Sequence, residues 1–192
     1  MTSATAMTAT IGERCREWWA EYCDPMSGDP AVRARLRRCR SVAEVLTVAP
    51  AIGLARRLGG VRIERNALDN RFERALGLAR ILVHVSSNAP EPIMRVAGYA
   101  HFPGDRDSGD DGNRPLLSET RFKRLLLAPP GEELLTMLIR LLAQVDGRAN
   151  IARLAQDVWW WNDRTRERWA FEYYAAGVAA PTQQDSEEEI TE

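Results

Sequence analysis

Arg33, Arg35, Arg37, Arg38 and Arg40 put five guanidinium groups into eight residues. Guanidinium is planar, permanently charged and able to donate two parallel hydrogen bonds, the geometry that suits a phosphate. Arg33, Arg37 and Arg40 stand at i, i+4 and i+7, so a helix would carry them on one stripe, where they repel unless an anion or neighbouring acids relieve them. A second cluster, Arg121, Lys123 and Arg124, is interleaved with Phe122 and followed by Leu125-Leu126-Leu127. A third, Arg164, Arg166 and Arg168, follows Trp159-Trp160-Trp161. Aromatic rings beside arginine can stack exposed bases. Most of these rings are expected in the core, with one of the three consecutive tryptophans at the surface, because three successive helical residues cannot all face inward. Trp169 and Tyr173, at i and i+4, are expected in the core as well, and Arg168 is placed to pair with Glu172.

Residues for catalysis are harder to find. The two histidines, His84 and His101, fall on different segments, and His84 follows the apolar run Ile81-Leu82-Val83, which marks it as a packed side chain. Cys15, Cys23 and Cys39 have no zinc-ligand spacing, and no glycine-rich phosphate loop or Gly-x-Ser-x-Gly elbow occurs. The stretch from Asp107 approaches a calcium loop but places Gly109 at the third position and Ser118 at the twelfth, where carboxylates are needed. The chain is therefore expected to be no enzyme, and to hold neither metal nor cofactor.

The net charge of −1 over 192 residues hides a segregation. Of the 26 basic residues 25 are arginine and Lys123 is the only lysine. Asp185, Glu187, Glu188, Glu189 and Glu192 crowd the last eight positions, so the remainder has 26 bases against 22 acids. Asp105, Asp107, Asp110 and Asp111 crowd another short stretch against Arg106 alone, and outside both stretches there are 25 bases against 18 acids. A basic body suits a polyanion. No apolar run approaches the roughly 20 residues that span a bilayer. The first ten residues lack the basic start and apolar stretch of a signal peptide, and three cysteines make no disulfide framework, so a cytoplasmic location is expected.

The elements that must position the arginines read almost throughout with helical period. A helix is expected over Glu13–Tyr22, another from Pro30 with Val32, Leu36 and Cys39 inward, and a third behind the capping box Ser41-x-x-Glu44. Pro50 starts one that ends at Gly59-Gly60 and carries Arg56. The longest spans about Ile63–Val85, with Leu68, Phe72, Ala75, Leu76, Ala79 and Leu82 inward and Arg62, Arg65, Arg71 and Arg74 outward. A short helix is expected within Ile93–Phe102. Ser118 is read as the cap of a helix through Leu126, with Glu119 and Lys123 as an i,i+4 pair, and Pro129-Pro130-Gly131 as its end. Glu132 and Glu133 open an apolar helix of Leu134, Leu135, Leu138, Leu141, Leu142 and Val145, which carries Arg140. Asn150–Trp160 and a last helix capped by Asp163 complete the series. The fold class is all-α, two small packed helical bundles: residues 11–102 and 116–177, joined by an acidic flexible loop at 103–115 and followed by a disordered acidic tail at 178–192.

The order of Glu17-Trp18-Trp19, Arg35-Leu36-Arg37-Arg38, Arg121-Phe122-Lys123-Arg124-Leu125-Leu126, Leu138-Ile139-Arg140-Leu141-Leu142 and Trp159-Trp160 ahead of Arg164 and Arg166 resembles the CasB family, the small subunit of the type I-E CRISPR surveillance complex, Cascade. The resemblance spans about Arg14 to Tyr174. It implies an all-helical, non-catalytic subunit, present in two copies, that holds the target and displaced DNA strands of an R-loop. It also implies contact with the backbone subunits that coat the guide RNA and with the large subunit, and no membrane. Matched to the family's basic motifs, Arg37, Arg38, Arg121, Arg124, Arg164 and Arg166 become candidate nucleic-acid contacts, with Arg56 a looser match. Arg33, Arg35, Lys123 and Arg140 join them by position. The alternative is a helical protein–protein adaptor whose arginine clusters pair with acidic partner surfaces.

Overall fold

The computed structural model describes residues 10–59, 70–100 and 114–174. Its helices are α1 (Ile11–Tyr22), α2 (Pro30–Arg38), α3 (Val42–Val45), α4 (Ala49–Arg57), α5 (Asn70–Leu82), α6 (Ile93–Ala97), α7 (Glu119–Leu127), α8 (Glu132–Gln144), α9 (Ile151–Trp159) and α10 (Asp163–Tyr174). The protein is all-α, and among the described residues the one exception is a parallel pair of two-residue strands, β1 (Ser87–Asn88) and β2 (Arg148–Ala149), with Ser87 opposite Arg148 and Asn88 opposite Ala149. That pair is too short to leave an alternating pattern in the sequence. Arg62, Arg65, Leu68, His101, the acidic stretch 103–113 and the tail 178–192 lie outside the described residues.

Local chemistry sets most helix ends. Thr10 and Glu13 form a reciprocal capping box that starts α1 two residues before the expected Glu13. Asp29 caps α2, accepting from the amides of Ala31 and Val32, with Pro30 in the first turn. Ser41 accepts from the amide of Glu44, but the Glu44 carboxylate takes the amide of Arg40 rather than that of Ser41, so only half of the expected box forms. Ser118 occupies the cap position of α7 without a side-chain hydrogen bond. For α10 the capping side chain is Asn162, one residue before the expected Asp163: its Oδ1 accepts from the amide of Thr165.

The core is one hydrophobic cluster fed by helices from both sides of residues 103–115. Helix α5 lies at its centre, every residue from Ala75 to Val83 being buried, Arg80 included. That all-round burial explains why Leu78 and Ile81 join the inward positions expected from one face. Helix α1 runs closest to α9, α5 packs on α4, α8 and α9, and α6 lies on α10. The α1–α9 approach depends on Gly12: a Cβ there would stand 2.4 Å from the carbonyl oxygen of Ala152. Aromatic anchors close the ends. Trp18 and Trp19 donate to the carbonyls of Pro50 and Val85, and Tyr173 stacks on Phe122 with ring centroids 3.9 Å apart.

Buried Arg80 ties three segments together. It donates to the carboxylate of Glu132 at the start of α8 and to the carbonyl of Arg40 beyond α2, while the other Glu132 oxygen accepts from the amide of Val42. Arg74, expected to face outward, instead turns half-buried toward α9 and donates to the carbonyl of Trp159 at 3.1 Å. The carbonyl at the end of a helix has no partner of its own, and a guanidinium from a neighbour supplies one.

Candidate nucleic-acid interface

Helices α7 and α8 are joined by Ala128-Pro129-Pro130-Gly131, where the two prolines stop the first helix and Gly131, at φ 134°, turns the chain into the second. The hairpin leaves a groove of about 540 Å³ between them. Arg121 and Arg124 enter it from α7 and Arg140 from α8. The spacing explains the convergence. Leu117, Arg121, Arg124 and Leu125 fall on one stripe of α7 and its lead-in, while Met137, Arg140, Leu141 and Gln144 fall on one stripe of α8. Among the described residues no carboxylate lines the groove, and none of its three arginines forms an intramolecular ion pair. All three are exposed.

Lys123 has a different fate. Two residues from Arg121, it points away from the groove and meets Glu119 at 3.9 Å, the i,i+4 pair expected from the sequence. Glu119 also accepts from the Tyr99 hydroxyl, and that hydrogen bond, ahead of burial, pushes the phenol up to about 12.

The third cluster sits at the far end of α7. Trp161 and Arg166 both donate to the carbonyl of Ala128, the last cap residue of that helix. Arg166 also pairs with Asp163 at 2.7 Å and lies over the Trp161 ring, 5.5 Å from its centre, so both of its terminal nitrogens are engaged within the fold, while its buried Nε has no partner. Arg168 is drawn into a half-buried network with Asp157 and with Glu172, the partner expected for it. Burial raises the pKa of Asp157 against the pull of its hydrogen bond from Trp169 and of Arg168. Arg164 is exposed. Of the three consecutive tryptophans Trp160 alone is exposed, at 54%, with Trp159 and Trp161 in the core; α9 ends at Trp159, so the non-helical turn at Trp160, rather than a helix face, separates them.

The first cluster lies on α2, which packs against α1 and α5. Leu36 is its buried anchor, while Val32 and Cys39 are half-buried. Arg35 donates to the carbonyl of Thr47 and Arg37 to that of Val83. Arg37 and Arg38 are exposed and Arg33 is partly so, which leaves a cationic edge of α2 open to solvent. His84 is half-buried beside it, and burial, then Arg37 and Arg80, lower its pKa. Arg56, near the end of α4, is exposed, whereas its neighbour Arg57 pairs with Glu21 at 2.6 Å.

Within these clusters the structure therefore brings Arg121, Arg124 and Arg140 into one groove, leaves Arg33, Arg35, Arg37 and Arg38 together on α2, and engages Arg166 internally. Met137 and Gln144 escaped sequence reasoning as site residues. Their signal was their spacing from Arg140, three residues before and four after, which marks a shared helical face. Among the described residues no group of three or more His, Cys, Asp or Glu is arranged to hold a metal ion, and no helix is long and apolar enough to cross a membrane.

A family model described as CRISPR-associated protein Cse2 matches residues 32–174, about three-quarters of the chain. The matched segment opens within α2 and closes at the last residue of α10, and it includes every candidate arginine and Lys123. No curated protein and no solved structure matches the chain.

Proposed function

Since the chain belongs to the CRISPR-associated Cse2 family, the CasB small subunit of type I-E Cascade, we propose that it grips the target and displaced DNA strands of the R-loop through sequence-independent arginine–phosphate contacts and performs no chemistry of its own. The observation that carries this reading is the α7–α8 groove, where Arg121, Arg124 and Arg140 converge with no carboxylate of the described residues among them. Three unpaired guanidinium groups in one groove repel each other, and the anion that relieves them best is one with regularly spaced charges. The open edge of α2, with Arg33, Arg35, Arg37 and Arg38, then the exposed Arg56 and Arg164, extends the contact to further phosphates.

R-loop formation exchanges one duplex for another of similar stability, so modest protein–backbone contacts tip the balance. Contacts to phosphate position a strand without reading it. A subunit that holds any strand equally is what a complex addressed by guide RNA needs. Within Cascade the same reading places the subunit beside the guide-RNA backbone subunits, the large subunit and a second copy of itself, in the cytoplasm.

Fluorescence anisotropy with labelled oligonucleotides of unrelated sequence tests it. Saturable binding that is sequence-tolerant and weakens steeply with salt is expected. An adaptor whose arginines serve acidic protein surfaces would show no saturable binding at near-physiological salt, and that result would replace this reading with the adaptor.

A further inference from the structure

The α7–α8 groove contains more than charge. Between its arginines lies an apolar floor of Leu117, Leu125, Met137 and Leu141, and its volume of about 540 Å³ falls within the range of sites that enclose a small organic group. A phosphate needs the arginines and gains nothing from the floor. Gln144 adds a third feature: it lines the groove, and its Oε1 is buried without a donor. Buried amide oxygens nearly always have a partner, so an orphaned one on a half-buried groove residue gains by turning into the groove to accept from an occupant.

One class of ligand meets all three demands. A nucleotide of a single strand carries phosphates for the guanidinium groups, a flat apolar face for the floor and an N–H on the edge of its base for an amide oxygen. An acidic peptide supplies the anion without the base, and a duplex keeps its bases stacked, with their flat faces closed to the floor. Resting on the phosphate-binding reading above, we infer that the groove takes one unstacked base of a single strand, seated on the partly exposed Met137 with an edge N–H donated to Gln144 Oε1 and its flanking phosphates on Arg121, Arg124 and Arg140. Adenine, cytosine, guanine and thymine each carry a base N–H, so the seat distinguishes single strands from duplexes while staying tolerant of sequence.

The test uses the full chain with three labelled DNA probes: a single strand, the same strand with abasic sites, and the matched duplex. The abasic probe keeps its phosphates and is expected to bind about tenfold more weakly, the size that follows from taking on the order of 50 Å² of base face out of water. The duplex is expected to bind more weakly than the base-bearing single strand at equal salt. Gln144→Leu is expected to lose about two- to tenfold on the base-bearing strand and nothing on the abasic one, with the salt slope unchanged. Equal affinity for base-bearing and abasic strands, with a steep salt slope for both, would overturn base insertion while phosphate binding stands. Absence of saturable binding to all three probes would overturn both.

Discussion

Replacing Arg121 and Arg124 by alanine together should remove two of the three cationic contacts of the α7–α8 groove. Each phosphate contact to a single strand releases about 0.7 of a counterion, so the slope of log affinity against log salt should become shallower by about 1.4. At roughly 0.1 M salt each contact contributes about a fivefold factor on this relation, and the pair about 25-fold. Arg140→Ala alone should lose about fivefold and flatten the slope by about 0.7. All three side chains are exposed and none forms an ion pair among the described residues, so the helical circular dichroism and the melting temperature should stay within experimental error of the parent. The internal control is Lys123→Ala. It removes a positive charge from the same helix, but one outside the groove lining and facing Glu119, and its slope should match the parent. Anisotropy titrations at five or six salt concentrations, with two oligonucleotides of unrelated sequence, give every quantity needed. An unaltered slope in the double variant, or a loss as large in Lys123→Ala, would refute the assignment of the groove.

Three further outcomes follow from the packing. Gly12→Ala should destabilise the protein by about 1–3 kcal/mol in chemical unfolding although alanine favours helix, because its methyl meets the Ala152 carbonyl; Gly53→Ala, with open space beside it in α4, should instead stabilise by about 0.5–1 kcal/mol. In the native protein a thiol reagent at pH 8 should label Cys39 first and leave Cys15 and Cys23 until unfolding, since burial pushes both of the latter up to about 12, and equal rates for all three would contradict the packing of α1. The folded state holds His84 below its ordinary pKa, so it binds fewer protons than the unfolded chain. Stability should therefore fall as pH drops through about 6.5 and level off below the folded value, and His84→Gln should flatten that limb in unfolding titrations.

How much was readable without coordinates varies by element. Helix α8 was fully legible, because Glu132 and Glu133 at its start and a leucine at nearly every inward position repeat one signal. Helix α10 was legible in its core residues Trp169 and Tyr173 but not in its cap, since Asn162 and Asp163 are both good caps and only the fold chooses between them. The Arg121–Arg124 pair was visible in the sequence, as was Arg140, yet nothing in the chain says that two stripes sixteen residues apart will face each other. That is decided by the Pro129-Pro130-Gly131 turn and by how α7 and α8 pack. The Arg74 error has the same origin. Its position on the α5 stripe reads as outward until α9 is laid beside it, and then the unpaired carbonyl of Trp159 draws the guanidinium in.

Under the proposed function arginine does two jobs in this chain, and the sequence cannot separate them by composition. Six described arginines donate to carbonyls at or just beyond the ends of neighbouring helices: Arg14 to Arg57, Arg35 to Thr47, Arg37 to Val83, Arg74 to Trp159, Arg80 to Arg40 and Arg166 to Ala128. The carbonyls of Arg57, Trp159 and Ala128 lie in the last turn or at the C-cap of their helices, at the negative end of the dipole, so there a cation that can also hydrogen-bond is favoured twice over. Lysine could supply the charge, but a fork with five donors can hold a carbonyl and keep other N–H groups for a second partner. Arg80 holds a carboxylate and a carbonyl at once, and Arg37 holds one carbonyl while remaining exposed to solvent. A basic body is thus not a measure of binding surface, because part of its charge is consumed in stitching short helices together. The groove arginines stand apart on this criterion: none of Arg121, Arg124 and Arg140 donates to a helix-end carbonyl or to a carboxylate among the described residues, which leaves their full donor sets for a ligand.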